Sequence, residues 1–117
     1  MTELTIIDKL LSEFNSAHSS KGAIAFFRKS PEAYYIFLNI MRSFYSKEQI
    51  TIEKLINIVS PKFCSRQTVK NITNNALEEN IIIKNIDTVD KRKKYFTPTQ
   101  KTIEEFSNWI SKSLKDL

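Results

Sequence analysis

The 117 residues include one glycine, one cysteine, one histidine and three prolines. So little glycine excludes a glycine-rich phosphate-cradling loop. With so little proline as well, it argues against a β-sandwich or a disordered chain and favours helices. Cys64 has no second cysteine for an internal disulfide, which points to a reducing, cytoplasmic location. Together with His18 it is too little for a His/Cys metal site within one chain. No stretch resembles a signal peptide and no apolar run approaches membrane-spanning length, so no membrane partner is expected. No Ser/His/Asp order is visible, and the acidic pairs Glu78-Glu79 and Glu104-Glu105 are adjacent and solvated in character. Neither enzymatic activity nor a cofactor is expected.

What is present fits one domain over residues 1–117, with 41% hydrophobic residues to build a core. The net charge of +5 is unevenly placed. Residues 1–59 carry seven Lys/Arg against six Asp/Glu, residues 60–101 nine against four, and residues 102–117 two against three. The excess therefore lies in the middle of the chain. A localised basic surface attracts phosphate backbones and releases counterions on binding, although a solvated basic loop would look the same in composition.

Apolar spacing marks the helices. Leu4, Ile7, Leu11 and Phe14, broadened by Ile6 and Leu10, predict an amphipathic helix over 3–16. Asn15 to Ser20 reads as a polar loop holding a surface His18, and Ala23 to Lys29 as a short helical turn. Ser30-Pro31-Glu32 is a helix start: Ser caps, Pro takes the first position, and an acid follows. The helix it opens, to about Ser46, is apolar on most sides and is expected at the centre of the core. Its aromatics are read as packing rather than as a ligand pocket.

Lys47 to Ile50 forms a connector, and Ile50 is placed to pair briefly with a later strand. Thr51 caps a short helix with Ile52, Leu55, Ile56 and Val59; Ser60-Pro61-Lys62 breaks it. Ser65 caps the next, with Val69, Ile72, Ala76 and Leu77 facing inward. Two helices split by a tight break, the second polar outside, read as a helix-turn-helix. Asn80 suits the left-handed residue that ends it. A hairpin follows, with arms near Ile81–Ile86 and Lys94–Phe96 and a loop from Asp87 to Lys93. Thr97-Pro98-Thr99-Gln100 predicts a last helix capped by Thr97, with Pro98 at the first position and Gln100 reaching back. Its stripe is Ile103, Phe106, Ile110 and Leu117, flanked by Leu114, with Trp109 beside the seam. The fold class is thus mainly α with a small β-hairpin wing, a winged helix-turn-helix.

The order Ser65-Arg66-Gln67-Thr68-Val69, the stripe Val69, Ile72 and Ala76, the triplet Asp90-Lys91-Arg92 and the pair Phe96-Thr97 resembles the multiple-antibiotic-resistance regulator (MarR) family of winged helix-turn-helix repressors. The likeness covers roughly residues 33–117. In that family the wing carries an Asp-x-Arg element and its second arm ends in Leu-Thr. The resemblance implies that Arg92 enters a minor groove while Asp90 braces it. The chain departs from the family pattern at Asn80, where a glycine is usual. It also has Pro98-Thr99-Gln100 where a glycine follows the Leu-Thr, and it is shorter than most members.

The expected function is a sequence-preferring regulator that binds double-stranded DNA, more simply a repressor than an activator, with no effector ligand assignable. The recognition helix, about 65–79, would lie in the major groove and the wing, 87–94, at the minor groove. Arg66, Gln67, Lys70, Asn71 and Asn74 point outward; Arg can bind guanine, and Asn or Gln adenine, through two hydrogen bonds. Ser65 and Thr68 are placed to bond phosphate at the helix start. Lys91, Arg92, Lys93 and Lys94 supply the wing's charge, and Lys62 a backbone contact. Each has a plainer reading as solvated surface. Cys64 next to Phe63 is read as a small core residue rather than a redox sensor. A homodimer joined through the terminal helices would set two recognition helices about one DNA turn apart. The competing readings are a winged-helix protein–protein adaptor and a DNA-binding replication or packaging factor. An apolar outer face on residues 66–74 would favour the adaptor.

Overall fold

The computed structural model describes residues 2–19 and 22–113. The elements run α1 (Glu3–Ser19), α2 (Ala23–Phe27), α3 (Pro31–Tyr45), α4 (Ile52–Val59), α5 (Arg66–Glu78), β1 (Ile82–Ile86), β2 (Lys94–Pro98) and α6 (Gln100–Ser113). This is the expected order of helices around a two-stranded wing.

Three helix starts follow from local chemistry. Ser30 Oγ, Thr51 Oγ1 and Ser65 Oγ each accept the amide three residues on, at Ala33, Lys54 and Thr68, all at 3.1 Å. Each bond satisfies one of the donors that a helix N-terminus leaves open. The end of α5 is equally local. Asn80 adopts φ 58°, and the amides of Asn80 and Ile81 donate to the carbonyls of Leu77 and Ala76 at 3.2 and 2.9 Å. That pair of bonds is a Schellman ending with Asn in place of the usual Gly. It turns the chain straight into β1.

The core gathers on α3. Ile36, Phe37, Ile40 and Met41 are buried with Leu55, Ile56 and Val59 of α4, Val69 and Ala76 of α5, and Phe27 of α2. Phe27 and Phe37 stack at 4.4 Å between ring centres. The strands pair antiparallel with Ile82 opposite Pro98 and Ile86 opposite Lys94, leaving residues 87–93 as the loop. Ile50 adds a bridge: the Phe96 amide donates to its carbonyl at 2.9 Å. The connector thus becomes a one-residue third strand at the wing's root.

The structure departs from the sequence-based expectation at both ends. The first helix continues to Ser19, so His18 lies on it rather than in a loop; the side chains of residues 16–19 lie outside the description. Its apolar stripe does not enter this chain's core. Leu4, Ile7, Leu10 and Leu11 are exposed, while Glu13 is buried. Glu13 Oε1 accepts a hydrogen bond from Arg28 Nη1 at 2.6 Å, and the Arg28 guanidinium lies over the rings of Tyr34 and Phe14. An ion pair can sit inside when both charges are partnered.

At the other end, the strand runs through Pro98, and the last helix starts at Gln100 with Thr99 as its cap, not Thr97. The reason is tertiary. The Thr99 amide and hydroxyl and the Thr102 hydroxyl all donate to the carbonyl of Ile81, at 3.1, 3.3 and 2.8 Å. Thr97 is instead held in the sheet, where its hydroxyl accepts from Asn85 Nδ2 at 2.7 Å. Gln100 bonds Glu104 rather than reaching back. Trp109 is buried, whereas Ile110 is exposed. Leu114 and Leu117 lie outside the described residues.

Candidate nucleic-acid interface

The second helix of the helix-turn-helix divides cleanly by face. Val69, Thr73 and Ala76 are buried; Thr73 is accommodated because its hydroxyl donates to the carbonyls of Val69 and Lys70. Arg66, Gln67, Lys70, Asn71 and Asn74 are all exposed on the other side. No exposed residue from Arg66 to Glu78 is apolar. The neighbouring ends of this face are pre-bonded. Gln67 Nε2 donates to Asn71 Oδ1 at 2.9 Å, a bond that uses neither Asn71 Nδ2 nor Gln67 Oε1. Such a pair offers one donor group and one acceptor, the combination that an adenine edge presents in reverse.

Ser65 and Thr68 are committed to the cap. Their hydroxyls lie 3.0 Å apart and Ser65 Oγ already holds the Thr68 amide. Ser65 remains exposed and Thr68 half-buried. In the turn before them, Phe63 packs on Tyr35 at 4.9 Å between ring centres and carries Lys62 Nζ over its ring at 5.4 Å. Cys64 is half-buried, and burial, followed by the nearby Glu32 charge, pushes its thiol above the ordinary value. A raised thiol is less thiolate and less reactive. The packing reading of Cys64 therefore fits better than a redox role.

The wing is shaped by two aspartates. Asp90 Oδ1 accepts the Arg92 amide at 3.0 Å and Arg92 Nε at 3.4 Å, while the Lys93 amide donates to the Asp90 carbonyl at 2.9 Å. Asp87 accepts the Val89 amide at 3.3 Å, and its own amide donates to Lys93 at 2.9 Å. Hydrogen bonding from the Val89 amide, and then from the Gln49 side chain, holds the Asp87 carboxyl below its usual range. The loop is a built turn, with the Arg92 side chain 93% exposed. Lys91, Lys93 and Lys94 are exposed beside it. The sequence placed all four cations on this loop and its edge.

Two contributors were not visible in the sequence. Gln49 reaches the wing loop from the connector, and Glu53 of α4 meets Arg66, whose Nη2 lies 3.4 Å from Glu53 Oε1. Both act across breaks in secondary structure, where no local periodicity links the partners.

No family model matches this sequence, and no curated protein matches it. Solved structures do. A MarR-like transcriptional regulator from Thermotoga maritima matches with a TM-score of 0.61 at 20% identity, covering 98% of this chain and 79% of that one. The chain has a MarR-like winged-helix fold. A Staphylococcus aureus MepR–DNA complex matches with a TM-score of 0.59 at 15% identity, covering 96% and 83%. MepR bound to ethidium bromide matches with a TM-score of 0.60 at 14% identity, covering 95% and 74%. Among the described residues, no helix of this MarR-like fold is long and apolar enough to cross a membrane.

Proposed function

We propose that this chain is a double-stranded-DNA-binding transcriptional regulator of the cytoplasm, acting as a homodimeric repressor with residues 1–117 as one unit. The observation that carries this reading is the exposed face of α5. It offers Arg66, Gln67, Lys70, Asn71 and Asn74, with no apolar residue among them, and the chain then runs directly into a wing bearing four exposed cations. The recognition helix supplies donors and acceptors for base edges in the major groove. The wing cations neutralise phosphates, and Arg92, held by Asp90, enters the minor groove. A neighbour in fold is described as a MepR–DNA complex, which supports the same mode of use. The polar face removes the feature that would have favoured a protein adaptor.

Dimerisation rests on α1. Leu4, Ile7, Leu10 and Leu11 are about half to two-thirds exposed on one helix. Water-facing leucines in such a run are costly in a monomer, and a second copy of the same face would cover them. Blocking of a promoter by a bound dimer is the simplest route to repression.

Selection of bound fragments from random genomic duplexes across a salt series tests the reading, with sedimentation fixing the oligomeric state. The expected result is a dimer, a shared palindromic site and a steep salt slope. A steep slope without a shared site would replace regulation with an architectural or replication role. Absence of binding at physiological salt would sink the DNA reading.

A further inference from the structure

From Thr51 to Leu77 the chain has one carboxylate, Glu53, among four cations, Lys54, Lys62, Arg66 and Lys70. Glu53 is in the first turn of α4, yet its side chain meets the first residue of the recognition helix: Arg66 Nη2 donates to Glu53 Oε1 at 3.4 Å. Both side chains are more than half exposed. An exposed pair at this distance adds little to stability. The start of α4 is already capped by Thr51. An acid in the first turn of α4 also suits the helix dipole, but that role does not require contact with Arg66, and phosphate attraction alone would favour removal of the charge.

We propose that Glu53 is a positioning residue for sequence selection, acting through Arg66. The assignment rests on the DNA-binding reading above. A guanidinium can hold a carboxylate along one edge and still present N–H groups on another, as guanine O6 and N7 require. Left alone, Arg66 would be equally satisfied by any phosphate oxygen. Glu53 competes for the guanidinium and repels the backbone, so non-matching registers lose more than the matching one. Exclusion of water at the interface strengthens both effects, because the local dielectric falls.

The test compares wild type, Glu53→Gln, Arg66→Ala and the double variant. Each is titrated onto the selected duplex and onto an unrelated duplex of equal length, after melting curves have established that all four fold. For Glu53→Gln, affinity for the unrelated duplex should rise by roughly three- to tenfold, with a smaller change on the selected site, so that the preference falls. In the Arg66→Ala background the same substitution should leave the preference unchanged, because the two residues act as a unit. An unchanged preference in Glu53→Gln, or an equal change with and without Arg66, overturns the assignment while the DNA reading stands. A wild type that binds no duplex overturns both.

Discussion

Glu105 of α6 accepts the backbone amide of Ala23 through Oε2 at 2.8 Å, joining the last helix to the start of α2 across 82 residues of sequence. The carboxylate can come this close because the preceding residue is Gly22, at φ 95° and ψ −152°. A Cβ at Gly22 would lie 2.6 Å from both Glu105 oxygens. Gly22→Ala combines a backbone conformation that L residues avoid with displacement of the capping acid. It should destabilise the protein by about 1–3 kcal/mol in urea unfolding. A loss within error of zero would mean that neither the conformation nor the contact is stabilising.

The Glu13–Arg28 pair predicts a different pattern. Its side chains are 7% and 14% exposed. Arg28→Ala leaves a buried carboxylate alone and should cost about 3–5 kcal/mol, more than the apolar double replacement Glu13→Leu with Arg28→Met. Denaturant midpoints of the three proteins decide it. If the double replacement were the less stable, the specific pairing and the rings over Arg28 would matter more than relief of the buried charge.

At the wing, Arg92→Ala should weaken duplex binding and abolish any preference for A·T pairs flanking the core site. A narrow A·T minor groove attracts arginine through its shape rather than its base edges. Binding selections on variant flanks measure this. Unchanged affinity and flank preference would remove Arg92 from the interface.

On the recognition helix, Asn71→Ala should relax discrimination at one base position by about 1–3 kcal/mol. Because Gln67 is bonded to Asn71, Gln67→Ala should affect the same or the adjacent position. Uniform weakening on every sequence would make Asn71 a backbone contact instead.

The wing should also respond to acid. Asp87 has a lowered carboxyl pKa through the Val89 amide. A lowered value stabilises the ordered turn above the unfolded carboxylate pKa, and that contribution is lost as pH falls through the folded value. The protection of the Val89 amide, its exchange relative to the intrinsic rate at the same pH, should therefore fall in acid, below the ordinary carboxylate range, and Asp87→Asn should flatten the response. Val89 protection that stays constant with pH in wild type would show that the carboxylate does not hold the loop.

Features whose partners lie within four or five residues were legible in the local order of the chain. Ser30, Thr51 and Ser65 cap because a side-chain oxygen three positions before an open amide needs no other part of the fold. Asn80 ends α5, and the hairpin loop falls at 87–93, for similarly local reasons. The inward stripe Val69–Ala76 was legible from its period, and with it the outward set from Arg66 to Asn74. Which competing cap would be used, and which stripe would be covered, depended on contacts distant in sequence. Thr99 replaced Thr97 because the Ile81 carbonyl lies beside it in space. The apolar stripe of α1 is left outside while Glu13 goes in, because Arg28 and Tyr34 are waiting there. Periodicity reports that a helix has an apolar face; it carries no information about whether the surface covering that face belongs to the same chain.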